Sequence, residues 1–147
     1  KSTDINQIKL MIKDIVDNSF PKLKRVSIHV EILKSDDYMA ATAYMYPFPI
    51  AKIKISKSDF NKMSSEAFTG LIIHELCHIE DDLNLGVKSI FSLNQQSKTE
   101  RRVDMMVIEK GYGKNLLALM KYHNKHYEKY DKEDGLTRNE IEQLLKD

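Results

Sequence analysis

The chain has 147 residues, 41% of them hydrophobic and 31% charged, enough for one hydrophobic core and too few for two. Twenty-three Lys plus Arg against 22 Asp plus Glu leave a formal net charge of +1, so no strong field draws the protein to nucleic acid or to a membrane surface. The longest uncharged run, Tyr38 to Ala51, falls short of the roughly 20 residues that span a bilayer, and the lone Cys77 cannot form an internal disulfide, which favours a reducing, cytoplasmic setting.

Ile5, Ile8, Ile12 and Ile15 recur at helical spacing among Asp4, Asn6, Lys9, Lys13 and Asp17, which predicts an amphipathic N-terminal helix ending near Phe20-Pro21. Val26, Ile28, Val30 and Ile32 then alternate with Ser27, His29 and Glu31, the period of a half-buried strand, and Ser35-Asp36-Asp37 reads as the turn after it. Met39 to Tyr46 predicts a second strand, closed by Pro47-Phe48-Pro49, where two amides are missing from any ladder. In a third strand, Ala51, Ile53 and Ile55 face one way and Lys52 and Lys54 the other. Outward lysines are expected on an edge strand guarded against aggregation.

From Ser64 the period becomes helical. Ser64 or Ser65 caps, Glu66 complements the helix dipole, and Phe68, Leu71, Ile72, Leu76 and Ile79 supply a buried surface. Fraying is expected near Asp81-Asp82, since acidic groups oppose the dipole at a helix C-terminus, and a polar loop with Gly86 and Gln95-Gln96 follows. Thr99 to Lys110 reads as the next helix, ended by Gly111 and Gly113. Leu116, Leu117, Met120 and Tyr127 line another with a basic outer face. Thr137-Arg138-Asn139-Glu140 fits a capping box before Ile141, Leu144 and Leu145, so a short terminal helix is expected to dock back on the domain, residues 131–147 forming a C-terminal tail or capping helix. The whole is one α+β domain over residues 1–147.

His74-Glu75-Leu76-Cys77-His78 matches H-E-x-x-H. Two imidazoles four residues apart lie one turn apart on one helical face, with Cβ atoms about 5–6 Å apart, so both can reach one Zn²⁺ at roughly 2.0–2.1 Å. Glu75 projects about 100° around the axis from His74, too far round to join the tetrahedron and well placed to act as a base on water activated by the metal. A catalytic zinc needs a third protein ligand and one open position. Glu100, at the start of the next helix, is the best candidate, and Asp104, four residues on, can accept a hydrogen bond from a ligand imidazole. The plain alternative is a pair of core histidines plus a solvated charged face over Glu100 to Asp104. The apolar helix that carries the motif weighs against it.

His74-Glu75-x-x-His78 followed by Glu100-x-x-x-Asp104 resembles the gluzincin clan of zinc metallopeptidases, nearest to the small stand-alone minigluzincins. The resemblance implies a zincin-like fold with an N-terminal helix, a small sheet, an active-site helix and a glutamate helix in that order, to which the reading above adds three strands in the sheet and C-terminal helices. It implies one Zn²⁺ per chain held by His74, His78 and Glu100, with Glu75 as general base and acid and Asp104 orienting a ligand histidine. Two departures stand out: many relatives carry Gly where Cys77 stands, and the chain after Gly113 matches nothing in the family. The motif also resembles the Spartan-type proteases of DNA–protein crosslinks, which use a third histidine, but this chain has none between His78 and His123.

Cys77 is expected to pack as a small hydrophobe. His123, His126 and Tyr112 are the candidate donors to an oxyanion. A peptide or unfolded-protein substrate is expected along Ala51, Lys52, Ile53, Lys54 and Ile55, because an edge strand can accept one more strand. The expected function is peptide-bond hydrolysis. A latent or non-catalytic zinc-binding protein, occluded by its own tail or by self-association, is the second class, and on that view residues 131–147 can be removed with the metal site intact. No membrane or nucleic-acid partner is expected.

Overall fold

Ile8, Ile12 and Val16 form one buried stripe of helix α1 (Ser2–Ser19), which is followed by a short 3₁₀ turn over Pro21–Arg25 that buries Leu23. The computed structural model describes residues 2–34, 38–88, 96–127 and 135–146. The expected turn at Ser35-Asp36-Asp37 and most of the polar loop before Gln96 lie outside these residues, as do residues 128–134 of the charged segment before Gly135. Among the described residues the chain is α+β, with six α-helices and one three-stranded mixed sheet. No helix among them is long and apolar enough to cross a membrane.

The strands are β1 (Ser27–Leu33), β2 (Ala40–Tyr44) and β3 (Ile50–Ser56), in spatial order β1-β3-β2. β3 pairs parallel with β1 and antiparallel with β2, so it is the central strand and not the expected edge. The lysine alternation has another cause. Lys52 and Lys54 stand on the solvent face of a sheet covered on one side, and Lys52 pairs with Glu31 of β1 at 3.1 Å. On the opposite face Ala51, Ile53 and Ile55 are fully buried. Val30 and Thr42 flank Ile53 in register, so both belong to that inner face.

Ser56 closes β3 and at once caps α2 (Lys57–Lys62), its hydroxyl accepting from the Asp59 amide. One and a half turns are too short for a readable period, and sequence reasoning missed this helix. Helix α3 (Ser65–Leu85) starts on the Ser64 cap and ends at Gly86, whose φ of 57° favours glycine. It does not fray at Asp81-Asp82. Arg102 donates twice to buried Asp81, at 2.6 and 2.9 Å, and Lys110 pairs with Glu80 at 3.3 Å, so cations from the next helix replace what the dipole lacks.

Helix α4 (Gln96–Glu109) begins ahead of the expected Thr99 and ends at Gly111, with φ 92°. Helix α5 (Gly113–His126) crosses α3 where Gly70 meets Asn115, and a Cβ on Gly70 would lie 2.3 Å from the Asn115 carbonyl oxygen. Helix α6 (Arg138–Lys146) opens on the expected capping box, with Glu140 N–H to Thr137 Oγ1 and Thr137 N–H to Glu140 Oε1 both at 3.1 Å. It docks on the domain as expected, with Leu136 and Ile141 buried in the common core. Cys77 is also core, and burial pushes its thiol up to about 12.

The α3–α5 crossing yields a direct test. Gly70→Ala should cost about 1–3 kcal/mol in chemical denaturation, because backbone rather than a flexible side chain blocks the added methyl. Unchanged stability would show that the two helices do not approach this closely.

Candidate metal centre

Helix α3 turns His74 and His78 toward α4 and Glu75 toward β2, and buried Val103 and Val107 hold α4 against the core so that Glu100 and Asp104 face back. The imidazoles of His74 and His78 lie 4.8 Å apart, edge to face. Glu100 spans them, Oε2 at 3.2 Å from His74 Nε2 and Oε1 at 3.1 Å from His78 Nε2. Asp104 Oδ1 lies 3.2 Å from the same His74 nitrogen, and its Oδ2 accepts the Leu136 amide at 2.9 Å. Glu75 is almost fully buried beside them. Its Oε1 is 3.6 Å from His74 Nδ1, and its Oε2 accepts a hydrogen bond from Thr42 of β2.

Three carboxylates against two imidazoles set the electrostatics. At His74 burial opposes the charged ring, but hydrogen bonds to Asp104, Glu100 and Glu75 outweigh it and raise the pKa well above the ordinary value. Burial pushes Glu100 up, and its bonds to both histidines more than reverse this, holding its carboxyl far below the usual range. Glu75 is lowered in the same way, against its burial, by His74, by the charge of His78 and by the Thr42 hydroxyl. Asp82, one turn beyond His78, is raised by burial.

His74, His78 and Glu100 each offer one ligand atom, and these atoms lie within 4.8 Å of one another. Two imidazole nitrogens and one carboxylate oxygen are a donor set that suits Zn²⁺. The surplus of carboxylates also fits, since a divalent cation would balance their charge.

The other candidates lie elsewhere. The Tyr112 hydroxyl is bonded to Ser19 Oγ at 2.7 Å, and the Ser19 carbonyl accepts from Lys110, the partner of Glu80. Glu80 lies about 200° around α3 from His78, so Tyr112 is tied to the far side of the helix and is not placed as an oxyanion donor. His126 packs on Tyr122 with centroids 4.2 Å apart, and His123 stacks on Tyr127. Both tyrosines donate to buried Asp59 of α2, Tyr122 at 2.5 Å, so the two histidines belong to that aromatic cluster. Ala51 to Ile55 has neighbours on both sides and offers no open edge.

Thr42 and Leu136 were missed. Thr42 sits on the inward alternation of β2, the only signal that could have found it. Leu136 acts through its backbone amide, for which the sequence has no signal. No family model matches the chain, and no curated protein or solved structure matches it either.

The geometry ranks two variants. Glu100→Ala removes an atom within reach of both imidazoles and should weaken Zn²⁺ binding more than Asp104→Ala, for which about a 10- to 100-fold loss is expected. Competition with a chromophoric chelator measures both. The reverse order would exchange their roles.

Proposed function

We propose that this protein is a zinc-dependent metallopeptidase of the gluzincin type, with His74, His78 and Glu100 holding the metal and Glu75 as general base. One observation carries the reading: a buried carboxylate stands beside a converged His-His-Glu donor set yet outside it, held by a hydroxyl from a separate strand. Structural zinc sites need no such fourth group, whereas a hydrolytic one does.

Zn²⁺ in this donor set supplies the Lewis acidity that polarises a scissile carbonyl and acidifies water. Everything else falls to the chain. Thr42 occupies Glu75 Oε2, and Oε1, which faces His74 Nδ1 at 3.6 Å, is the oxygen that would take the proton of the attacking water and return it to the departing amine. Asp104 stands at the same His74 nitrogen as Glu100, so it would add a negative charge beside the ion rather than hold the ring through its other nitrogen. A Glu rather than a third His at Glu100 supports this reading over the Spartan-type one, as does the place of His123 and His126 in the Asp59 cluster.

The substrate class that fits is an extended, unfolded peptide. β2 is the edge of the sheet on the side of α3, and its Thr42 touches the base, so a peptide added to that edge would pass Glu75. Met45, Tyr46 and Phe48, just beyond the end of β2, are exposed and suit the apolar side chains of an unfolded segment.

Purified protein should bind one Zn²⁺ per chain and cleave an unfolded substrate such as casein. His74→Ala and His78→Ala should lose the metal. Glu75→Gln should keep it and lose hydrolysis, since only the proton acceptor is removed. Stoichiometric zinc with no cleavage by the wild-type chain would favour a non-catalytic zinc-binding protein; loss of zinc in Glu75→Gln would make Glu75 a ligand.

A further inference from the structure

The C-terminal segment reaches the metal centre through its backbone. Leu136 N–H donates to Asp104 Oδ2 at 2.9 Å while Asp104 Oδ1 stands 3.2 Å from His74 Nε2, so the two oxygens of one buried carboxylate are committed to different elements. A Cβ on Gly135 would lie 2.3 Å from Oδ2, and so glycine alone lets the backbone come this close. Arg101, three residues before Asp104 on α4, locks the approach. It donates to the Gly135 carbonyl at 3.4 Å and in a fork to both oxygens of Glu140, at 3.0 and 2.6 Å. Leu136 and Ile141 then bury themselves in the core.

We propose that Gly135-Leu136 is a positioning element of the metal centre, and that docking of this segment and occupancy of the metal site are coupled. The inference rests on the metal reading above. A carboxylate pinned by a backbone amide keeps its Oδ1 at the same His74 nitrogen as Glu100, beside the place a cation would take. Without the amide it is free to turn, and the loss of such an outer partner typically weakens metal binding about 10- to 100-fold. Coupling of binding free energies is reciprocal, so whatever docks the segment tightens the metal, and the metal tightens the docking by the same factor. The segment is thereby part of the site, where residues 131–147 were expected to be removable.

The test uses the full chain as wild type, Gly135→Ala and, as a stability control, Ile12→Ala, a core truncation on α1. Zn²⁺ affinity is measured by chelator competition, the metal-free melting temperature by circular dichroism, and amide hydrogen exchange from Leu136 through α6 with and without Zn²⁺. Gly135→Ala should lose about 10- to 100-fold in affinity, and Ile12→Ala should lose far less even where it melts lower. In the wild type, Zn²⁺ should slow exchange at Leu136 and along α6, a readout that needs no variant to fold. Wild-type affinity in a folded Gly135→Ala, affinity that tracks melting temperature in both variants, or exchange indifferent to Zn²⁺ overturns the coupling alone. A wild-type chain that binds no Zn²⁺ overturns the metal reading itself, and the coupling with it.

Discussion

Confinement of like charge is the constraint around which this molecule is organised. Glu75, Glu100 and Asp104 share one partly buried space, and carboxylates that close do not stay ionised away from water without counter-charge. Hydrogen-bond donors answer it: the imidazoles from α3, the Thr42 hydroxyl from the sheet, and the Leu136 amide from the C-terminal segment. The helix crossings and the sheet covering exist, from the site's viewpoint, to bring those donors to the same few ångströms.

A second band of paired charge runs along the same two helices. Asp81 with Arg102 and Glu80 with Lys110 join α3 to α4 beyond the histidines, and Lys110 also reaches the Ser19 carbonyl and lies 4.3 Å over the Phe20 ring. Breaking any one of these would leave a buried carboxylate without its partner, a larger loss than the pair itself contributes. The interhelical angle that aims Glu100 at the histidines therefore rests on ion pairs as much as on the buried valines of α4.

What could be read from the sequence was local. The H-E-x-x-H turn, the Ser64 cap and the Thr137–Glu140 capping box each depend on residues within one helical turn, and each is found at its expected place. Apart from the short helix α2 and the early start of α4, the errors were of pairing. Lysine alternation marks a solvent face as readily as an edge, and only the return of β1 alongside β3 tells them apart. Acidic residues late in α3 look destabilising until Arg102 and Lys110 arrive from another helix. The Leu136 amide is invisible to any reading of side chains.

The division of the donor set between two helices also orders its assembly. His74 and His78 are neighbours as soon as one turn of α3 forms, whereas Glu100 must wait for α4 to close a connection across the chain. The parallel pairing of β1 with β3 spans a comparable length of chain, so it too is a long-range closure beside the local turn of α3. The centre thus joins a local part, His74, Glu75 and His78 on one turn of α3, to a distant part, Glu100 and Asp104, that only the packing of α4 supplies.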